Sequence, residues 1–283
     1  MMSFDYTDHS EENLFRMDPA PLRSLIRYKA HKTIEIQLYN AIVKGKKLSA
    51  DIGQGVRMML NIWKKRGLPM ESPDFQWIDH LYEAVEQVKE GRQPELFGNA
   101  RDFFSDDDLE SVRNLFYQRR SIRHFTEEEV PDWMVDEIIK AGLWAAQGGN
   151  LGNTRFLVIR ESNEPGLLIG GDIPSGSVHI VVCQDTRAYK VIPTYAKFEE
   201  TYKTNQNLDC GAAMQNMVLM AHALGLGAAW LTFNNQKMKG KLRDRFQLED
   251  HIVIMNYIDI GFPNSQPIPR GRHNVDEVII GRV

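Results

Sequence analysis

The sequence predicts an α+β fold built around one long central helix. From residue 106 onward the predicted elements follow the order helix, helix, strand, strand, helix, strand, strand, which is not the strict alternation of a doubly wound parallel sheet. Residues 209–224 are apolar almost all round, as is typical of a helix that is buried on most sides. Residues 178–183 and 253–260 are short runs rich in β-branched residues and predict strands.

The first hundred residues predict helices. An amphipathic pattern opens after Pro19 and Pro21 and continues to a break at Gly45. Two further patterns of helical period follow, and each ends at a glycine. The predicted helices cover residues 22–43, 55–65 and 74–89.

A Pro- and Gly-containing stretch, residues 91–105, is interpreted as a connection between two parts of the chain. The sequence therefore predicts an N-terminal helical extension over residues 1–105 and a main domain over residues 106–283. In the main domain, acidic residues just ahead of Pro131 are typical of a helix start. The remaining predictions are helices over residues 107–117 and 135–146 and strands over residues 155–160, 228–233 and 277–280.

Composition and charge exclude several classes of protein. The chain has 283 residues, 42% of them hydrophobic and 25% charged, which is normal for a globular protein. Its net charge of −4 argues against a general nucleic-acid binder, so any anion site must be a local arrangement of arginines. Cys183 and Cys210 lie in apolar stretches, which favours free thiols in a reducing cytoplasm. The polar, acidic N-terminus is not a signal peptide, and no apolar run predicts a membrane span.

The most distinctive segment is Arg-Arg-Ser-Ile-Arg at residues 119–123. Guanidinium groups match phosphate oxygens with paired hydrogen bonds, and a serine hydroxyl can complete such a site. In an extended segment Arg119, Ser121 and Arg123 share one face. Taken alone, a solvated basic turn between two helices is an equally good interpretation.

Two other segments are candidates for ligand contacts. The loop at residues 147–153 is rich in Gly and Asn, which let the backbone approach a flat ligand and let the Asn150 amide both donate and accept hydrogen bonds. Near the C-terminus, Arg270 or Arg272 could add to an anion site. An ordinary loop and a solvated basic turn are the alternatives for these two segments. Gly-x-Ser-x-Gly, His-Glu-x-x-His, Walker and Gly-x-Gly-x-x-Gly motifs are missing, and the eight histidines show no metal-ligand spacing.

The order of these blocks resembles the nitroreductase family of flavoproteins, over residues 107–283. The blocks are Arg-Arg-Ser-Ile-Arg-x-Phe at 119–125, Gly-Gly-Asn-Leu at 148–151, Asp-x-Gly-Ala-Ala-x-Gln-Asn-Met at 209–217 and Ile-Gly-Phe-Pro at 260–263. The resemblance implies an α+β fold with a mixed or antiparallel sheet flanked by helices. It also implies a homodimer formed through the long central helix, with two FMN sites at the interface that both subunits line.

The resemblance also implies roles for particular residues. A first group should hold the FMN phosphate and ribityl chain, with one of the C-terminal arginines closing that site. A second group should lie near the ring. The phosphate group is Arg119, Arg120, Ser121, Arg123 and Arg270 or Arg272, and the ring group is Asn150, Leu231 and Thr232. No side chain is predicted to be a catalytic acid or base, and no metal is predicted, since the flavin carries the chemistry.

One departure from the family pattern concerns the loop at Asn150. The family usually has Gln-Pro shortly after this Asn, and this chain has Gly152-Asn153. The substitution leaves open how the ring edge is contacted and which substrates fit.

The predicted activity is two-electron transfer from NAD(P)H, a transient electron donor, to a small oxidised substrate such as a nitro compound, quinone or enone. Residues 189–202 could form a substrate lid, although a surface loop is the simpler interpretation. Three alternatives remain open. They are a flavin-dependent dehydrogenase or oxidase of a biosynthetic intermediate, a flavin-binding protein without turnover, and a helical scaffold without cofactor.

Overall fold

The protein was analysed as a computed structural model that describes residues 4–94, 104–168, 173–233, 236–268 and 270–282. Its N-terminal part is helical, as predicted, and a π-helical turn joins α2 to α3. Pro19 starts α2 because its ring fixes a helical φ, and Gly45 ends α3 with a φ of 62°. The helices are α1 (Glu11–Arg16), α2 (Pro19–Lys29), α3 (Ile36–Lys44), α4 (Gln54–Lys65) and α5 (Pro73–Lys89).

The N-terminal helices share one apolar core with residues from the main part of the chain. Leu22, Leu25 and Ile26 form the fully buried face of α2. The same core contains Leu151 and Tyr189, both of which lie far downstream in the sequence. The division at residue 105 stays a prediction, and the proposed connection falls largely on residues 95–103, outside the described part of the chain.

The main part of the chain consists of seven helices and four strands among the described residues. The helices are α6 (Asp106–Gln118), α7 (Asp132–Leu143), α8 (Arg187–Lys190), α9 (Pro193–Lys197), α10 (Glu199–Ala223), α11 (Gln236–Phe246) and α12 (Val275–Val278). The strands are β1 (Thr154–Arg160), β2 (Val178–Asp185), β3 (Gly227–Leu231) and β4 (Ile252–Gly261).

The four strands form one sheet in the order β1-β2-β4-β3, and every neighbouring pair is antiparallel. β2 is buried along its whole length, because both faces of the sheet are covered. A register shift at Val182 and Cys183 interrupts the pairing of β2 with β4. The α+β fold class with an antiparallel sheet is therefore confirmed.

α10 is the long central helix, and it begins ten residues before the predicted start at residue 209. Its buried residues, among them Met214, Met217 and Ala221, belong to the core formed with one face of the sheet and with α7. Cys210 and Cys183 are both buried and free, as the sequence predicts.

Three segments differ from the sequence-based expectations. The predicted last strand at residues 277–280 is wrong, since its first two residues belong to a single helical turn, capped by Asn274, and the stretch remains exposed. α11 was not predicted. The interpretation of residues 189–202 as a surface loop is wrong as well, because they are mainly helical and Tyr189 is fully buried. Within the described residues, no helix is both long and apolar enough to cross a membrane.

Candidate functional site

The arginine-rich segment runs along the edge of the sheet beside β3. Ser121 forms a parallel bridge with Ala228, and the Ile122 N–H donates to the Ala228 carbonyl at 3.0 Å. The segment lies close to the strand because Gly227 has no side chain: a Cβ there would be 2.8 Å from Cγ2 of Ile122. Gly261 makes the same kind of room for Phe125. Close packing of Ile122 against Gly227, and of Phe125 against Gly261, therefore holds the segment along the edge of the sheet.

This segment and the C-terminal region bring four arginines into one neighbourhood. Burial lowers the pKa of Arg119, and the nearby positive charges of Arg272, Arg120 and Arg270 lower it further. No carboxylate of the described residues lies within ion-pair distance of any of the four. A group of cations without counter-charge is a ready site for an anion.

His222, in the last turn of α10, lies close to two of these arginines, Arg119 and Arg120. Burial lowers the pKa of His222, and the charges of Arg119 and Arg120 add to that effect. The ring is therefore held neutral beside the cations, where it can donate or accept one hydrogen bond without adding a charge. The sequence predicts no role for His222, because its position in an apolar helix carries no sign of the nearby cations.

The two predicted ring-contacting residues of β3 lie farther along the same edge. Leu231 is half-buried at the end of the strand, opposite Tyr257, and Thr232 follows it and is exposed. Thr232 lies four positions after Ala228, so the two residues are separated by roughly 13 Å along an extended chain. Arg123 is exposed, and Ser121 is half-buried at the bridge. The structure thus places the arginines and the Leu231–Thr232 corner at two ends of one sheet edge.

Asn150 lies in a short 3₁₀ turn, Gly148–Asn150, and has a φ of 54°. Its contacts come from the N-terminal helices. Nε of Arg27, on α2, donates to the Asn150 main-chain oxygen at 3.0 Å, and Nη2 donates to its side-chain Oδ1 at 2.7 Å. No local sequence signal marks Arg27, since it occupies an ordinary polar position of an amphipathic helix.

A buried carboxylate supports the other side of the same turn. Oδ1 of Asp209 accepts from the Gly148 N–H at 2.8 Å, and Oδ2 accepts from the Tyr189 hydroxyl at 2.9 Å. Burial raises the pKa of Asp209, and the hydrogen bonds from Gly148 and Tyr189, which are both uncharged, offset only part of that effect. Asn153 is fully buried beside Tyr189, whereas Gly152, the other member of the unusual Gly152-Asn153 pair, is half-buried.

The Asn150 turn and the arginines lie far apart within one chain. The turn is held by Asp209, and the arginines lie near His222, thirteen residues farther along α10, which corresponds to about 20 Å of helix. The turn also precedes β1, while the arginines flank β3, and these strands form opposite edges of the sheet. One copy of the chain therefore brings Leu231 and Thr232, but not Asn150, to the sheet edge that carries the arginines.

Comparisons with known proteins agree with the resemblance. The sequence profile of the nitroreductase family matches residues 116–167 and 178–261. A candidate NADH dehydrogenase/NAD(P)H nitroreductase from Archaeoglobus fulgidus is 27% identical over 164 residues, which are 56% of this chain and 88% of that protein.

Solved structures give the same result. A nitroreductase family protein from Streptococcus pneumoniae has the same fold, with 23% identity, a TM-score of 0.51 and coverage of 60% of this chain and 100% of that one. The structure of a candidate nitroreductase from Desulfovibrio desulfuricans, in complex with FMN, is 31% identical with a TM-score of 0.50, and the match covers 64% of this chain and 99% of that one. The chain belongs to the nitroreductase family.

Proposed function

We propose that the protein is an FMN-dependent oxidoreductase that takes two electrons from NAD(P)H and delivers them to a small oxidised substrate of the nitro, quinone or enone type. The observation that carries this proposal is the group of four arginines beside β3, none of which forms an ion pair with a carboxylate of the described residues. The FMN bound to the 31% identical relative is consistent with it.

The residues present fit the phosphate of FMN. A phosphate monoester carries close to two negative charges at neutral pH and has three acceptor oxygens. Arg119, Arg120, Arg270 and Arg272 supply donors and positive charge, and Ser121 adds a hydroxyl. Binding the phosphate would relieve the repulsion that lowers the pKa of Arg119. Arg123, two residues beyond Ser121, is proposed to complete this group.

The rest of β3 fits the position of the ring. From the arginines the strand leads to Leu231 and Thr232, roughly 13 Å away, so that a molecule with an anionic end and a flat end can lie along the edge. When bound, FMN supplies hydride chemistry at its N5 atom, and the protein supplies position and electrostatics. In this proposal the arginines bind the phosphate and the half-buried Leu231 shields the ring from water.

Asn150 can take part only through a second copy of the chain. Because the turn is about 20 Å of helix away from the arginines, we propose a homodimer in which the Asn150 turn of each subunit contributes to the flavin site of the other. α10 runs between the two regions and is the proposed dimer helix. The free, buried Cys183 and Cys210 are consistent with a reducing cytoplasm as the place of action.

The visible spectrum of the purified protein tests the proposal. Bound flavin gives absorbance bands near ~370 and ~450 nm, a property of the cofactor itself. Addition of NADH or NADPH without oxygen should bleach the longer-wavelength band, and a nitroaromatic or quinone should restore it. A colourless protein that takes up no added FMN would contradict the proposal. A yellow protein that neither nicotinamide reduces would leave flavin binding intact but exclude the proposed electron donor.

A further inference from the structure

One arginine of the N-terminal helices forms hydrogen bonds with the Asn150 turn. Arg27 makes two hydrogen bonds to Asn150, at 3.0 Å to the main-chain oxygen and at 2.7 Å to the side-chain oxygen. Two bonds from one planar guanidinium to a single residue fix both the backbone and the amide plane of that residue. This contact joins residues 123 positions apart in the sequence.

The glycines of the turn allow it to lie in close contact with α2. A Cβ on Gly152 would be 2.8 Å from Nε of Arg27, and a Cβ on Gly149 would be 3.0 Å from Cδ2 of Tyr28. Both glycines have positive φ angles, 63° and 65°, which favour glycine independently of space. Between them Leu151 is fully buried in the core of the N-terminal helices. The unusual Gly152 is therefore explained by the close approach of Arg27.

Arg27 is itself held in place. Its Nη1 lies 3.4 Å from the Asp74 carboxylate, which also accepts from Arg23 and from the Ser72 hydroxyl. These bonds hold the pKa of Asp74 at about 2, although burial opposes them, so the carboxylate is ionised at neutral pH. Arg23 and Arg27 thus share one counter-ion, but only Arg27 reaches the turn.

The chemistry of the guanidinium fixes the orientation of the amide. A guanidinium has donors and no acceptor, so it can face only the oxygen of the Asn150 side chain. The Asn150 Nδ2 then points to the other side and is left as a donor. We infer that Arg27 is a positioning residue that presents the Asn150 amide nitrogen to an acceptor on the flavin ring and contributes a positive charge beside it. The inference rests on the proposed function and assigns to the N-terminal helices a direct part in the flavin site.

Arg27→Gln, Arg27→Lys and the matched control Arg23→Gln test this inference. We expect Arg27→Gln to weaken FMN binding by about tenfold, the size of one lost charge-assisted hydrogen bond. The reduction potential of bound FMN should become more negative by about 30 mV. For a two-electron couple, this shift corresponds to a tenfold greater loss of affinity for reduced FMN than for oxidised FMN. Arg27→Lys should restore most of the potential, because the charge returns, but only part of the affinity. Arg23→Gln should change neither quantity, although it also removes a partner of Asp74.

Asn150→Asp tests the amide orientation without altering Arg27. The carboxylate keeps an acceptor for Arg27 but loses the outward donor, so we expect thermal stability to be preserved while FMN affinity falls by about tenfold. This variant also serves if Arg27→Gln does not fold. Wild-type protein that binds no FMN would overturn the proposed function and this inference with it. Wild-type protein that binds FMN, with Arg27→Gln and Asn150→Asp unchanged in affinity and potential, would overturn the inference alone.

Discussion

His179 on β2 and Asp259 on β4 form a buried pair in which Nδ1 lies 2.6 Å from Oδ1. On the opposite side of the ring, Nε2 of His179 lies 3.0 Å from Oε2 of Glu161. Both ring nitrogens face carboxylates, so both carry a proton and the histidine is a cation. Burial lowers the pKa of His179, but the bonds and charges of Asp259 and Glu161 outweigh it, and the net shift is upward.

The first prediction concerns stability against pH. Since the folded-state pKa of His179 is raised, its contribution is complete below the unfolded pKa of about 6.5 and is lost as the pH rises through the folded value. We expect the free energy of unfolding to fall as the pH rises from the unfolded-state pKa through the higher folded-state pKa. His179→Gln should remove this dependence and should cost about 3–5 kcal/mol at pH 6, because two buried carboxylates lose their partner. Denaturant unfolding at several pH values measures both effects. An unchanged pH slope in the variant would contradict the assignment.

The second prediction concerns the arginines beside β3. Arg119→Ala should weaken FMN binding by about 1.5–3 kcal/mol, the value of a hydrogen bond to a charged group. The same change should not destabilise the FMN-free protein, because it relieves repulsion from Arg272, Arg120 and Arg270. Thermal unfolding with and without FMN separates the two effects. Arg113→Ala is the matched control, since Arg113 lies on α6 and pairs with Glu110.

If Arg119→Ala binds FMN as tightly as the wild type, the phosphate assignment is wrong. The double change Arg119→Ala with Arg123→Ala extends the test to the exposed end of the segment. It should leave the purified protein without flavin, because it removes several charge-assisted hydrogen bonds.

The third prediction concerns the packing of the arginine-rich segment against Gly227 of β3. Gly227→Ala places a Cβ 2.8 Å from Cγ2 of Ile122, so the segment must move away from β3. We expect a loss of about 1–3 kcal/mol of stability, as for other overpacked sites, together with weaker FMN binding. Gly240→Ala is the control, because nothing lies within 4 Å of a Cβ there and α11 should gain about 0.5–1 kcal/mol. Denaturant midpoints and FMN titration measure the outcome, and normal FMN binding by Gly227→Ala would show that the segment can shift without consequence.

The fourth prediction concerns the support of the Asn150 turn by Asp209. Tyr189→Phe removes the hydrogen bond from the buried hydroxyl to Asp209 and should cost about 1.5–3 kcal/mol at neutral pH. Burial raises the pKa of Asp209, so the folded protein disfavours its ionised form. The free energy of unfolding should therefore decline as the pH rises through the folded-state pKa of Asp209. Asp209→Asn, which keeps an acceptor for the Gly148 N–H, should lose this decline. Unfolding curves from acid to neutral pH test it, and identical pH profiles for wild type and variant would count against it.

Much of the fold could be predicted because the relevant signals are local. The apolar spacing of α4 and α5 defines the face that each helix buries, and the β-branched run of β2 is buried along its whole length. α11 was missed because its residues are mostly charged and only Leu242 among them is buried. The apolar end of the chain near Ile280 has the composition of a strand, yet it remains exposed and pairs with no described strand.

The candidate site could be predicted only where its residues are contiguous. The segment at residues 119–123 carries its own pattern, whereas the C-terminal arginines become informative only once folding places them beside Arg119. Tyr189 lies in a polar stretch, and it becomes buried only through tertiary packing, in which its hydroxyl donates to Asp209, twenty positions away. Arg27 meets Asn150 through tertiary packing alone, so no spacing in the sequence could reveal the contact.

The burial of Leu151 among the N-terminal helices makes two distant parts of the chain one cooperative unit. Any opening of α2 withdraws the apolar surroundings of Leu151, and any release of the turn exposes part of the N-terminal core. Amide protons of α2 and of the turn should therefore exchange with solvent at a common rate. A ligand that orders the turn would slow exchange throughout the N-terminal helices, and proteolytic removal of those helices would unfold the turn rather than leave a smaller folded protein.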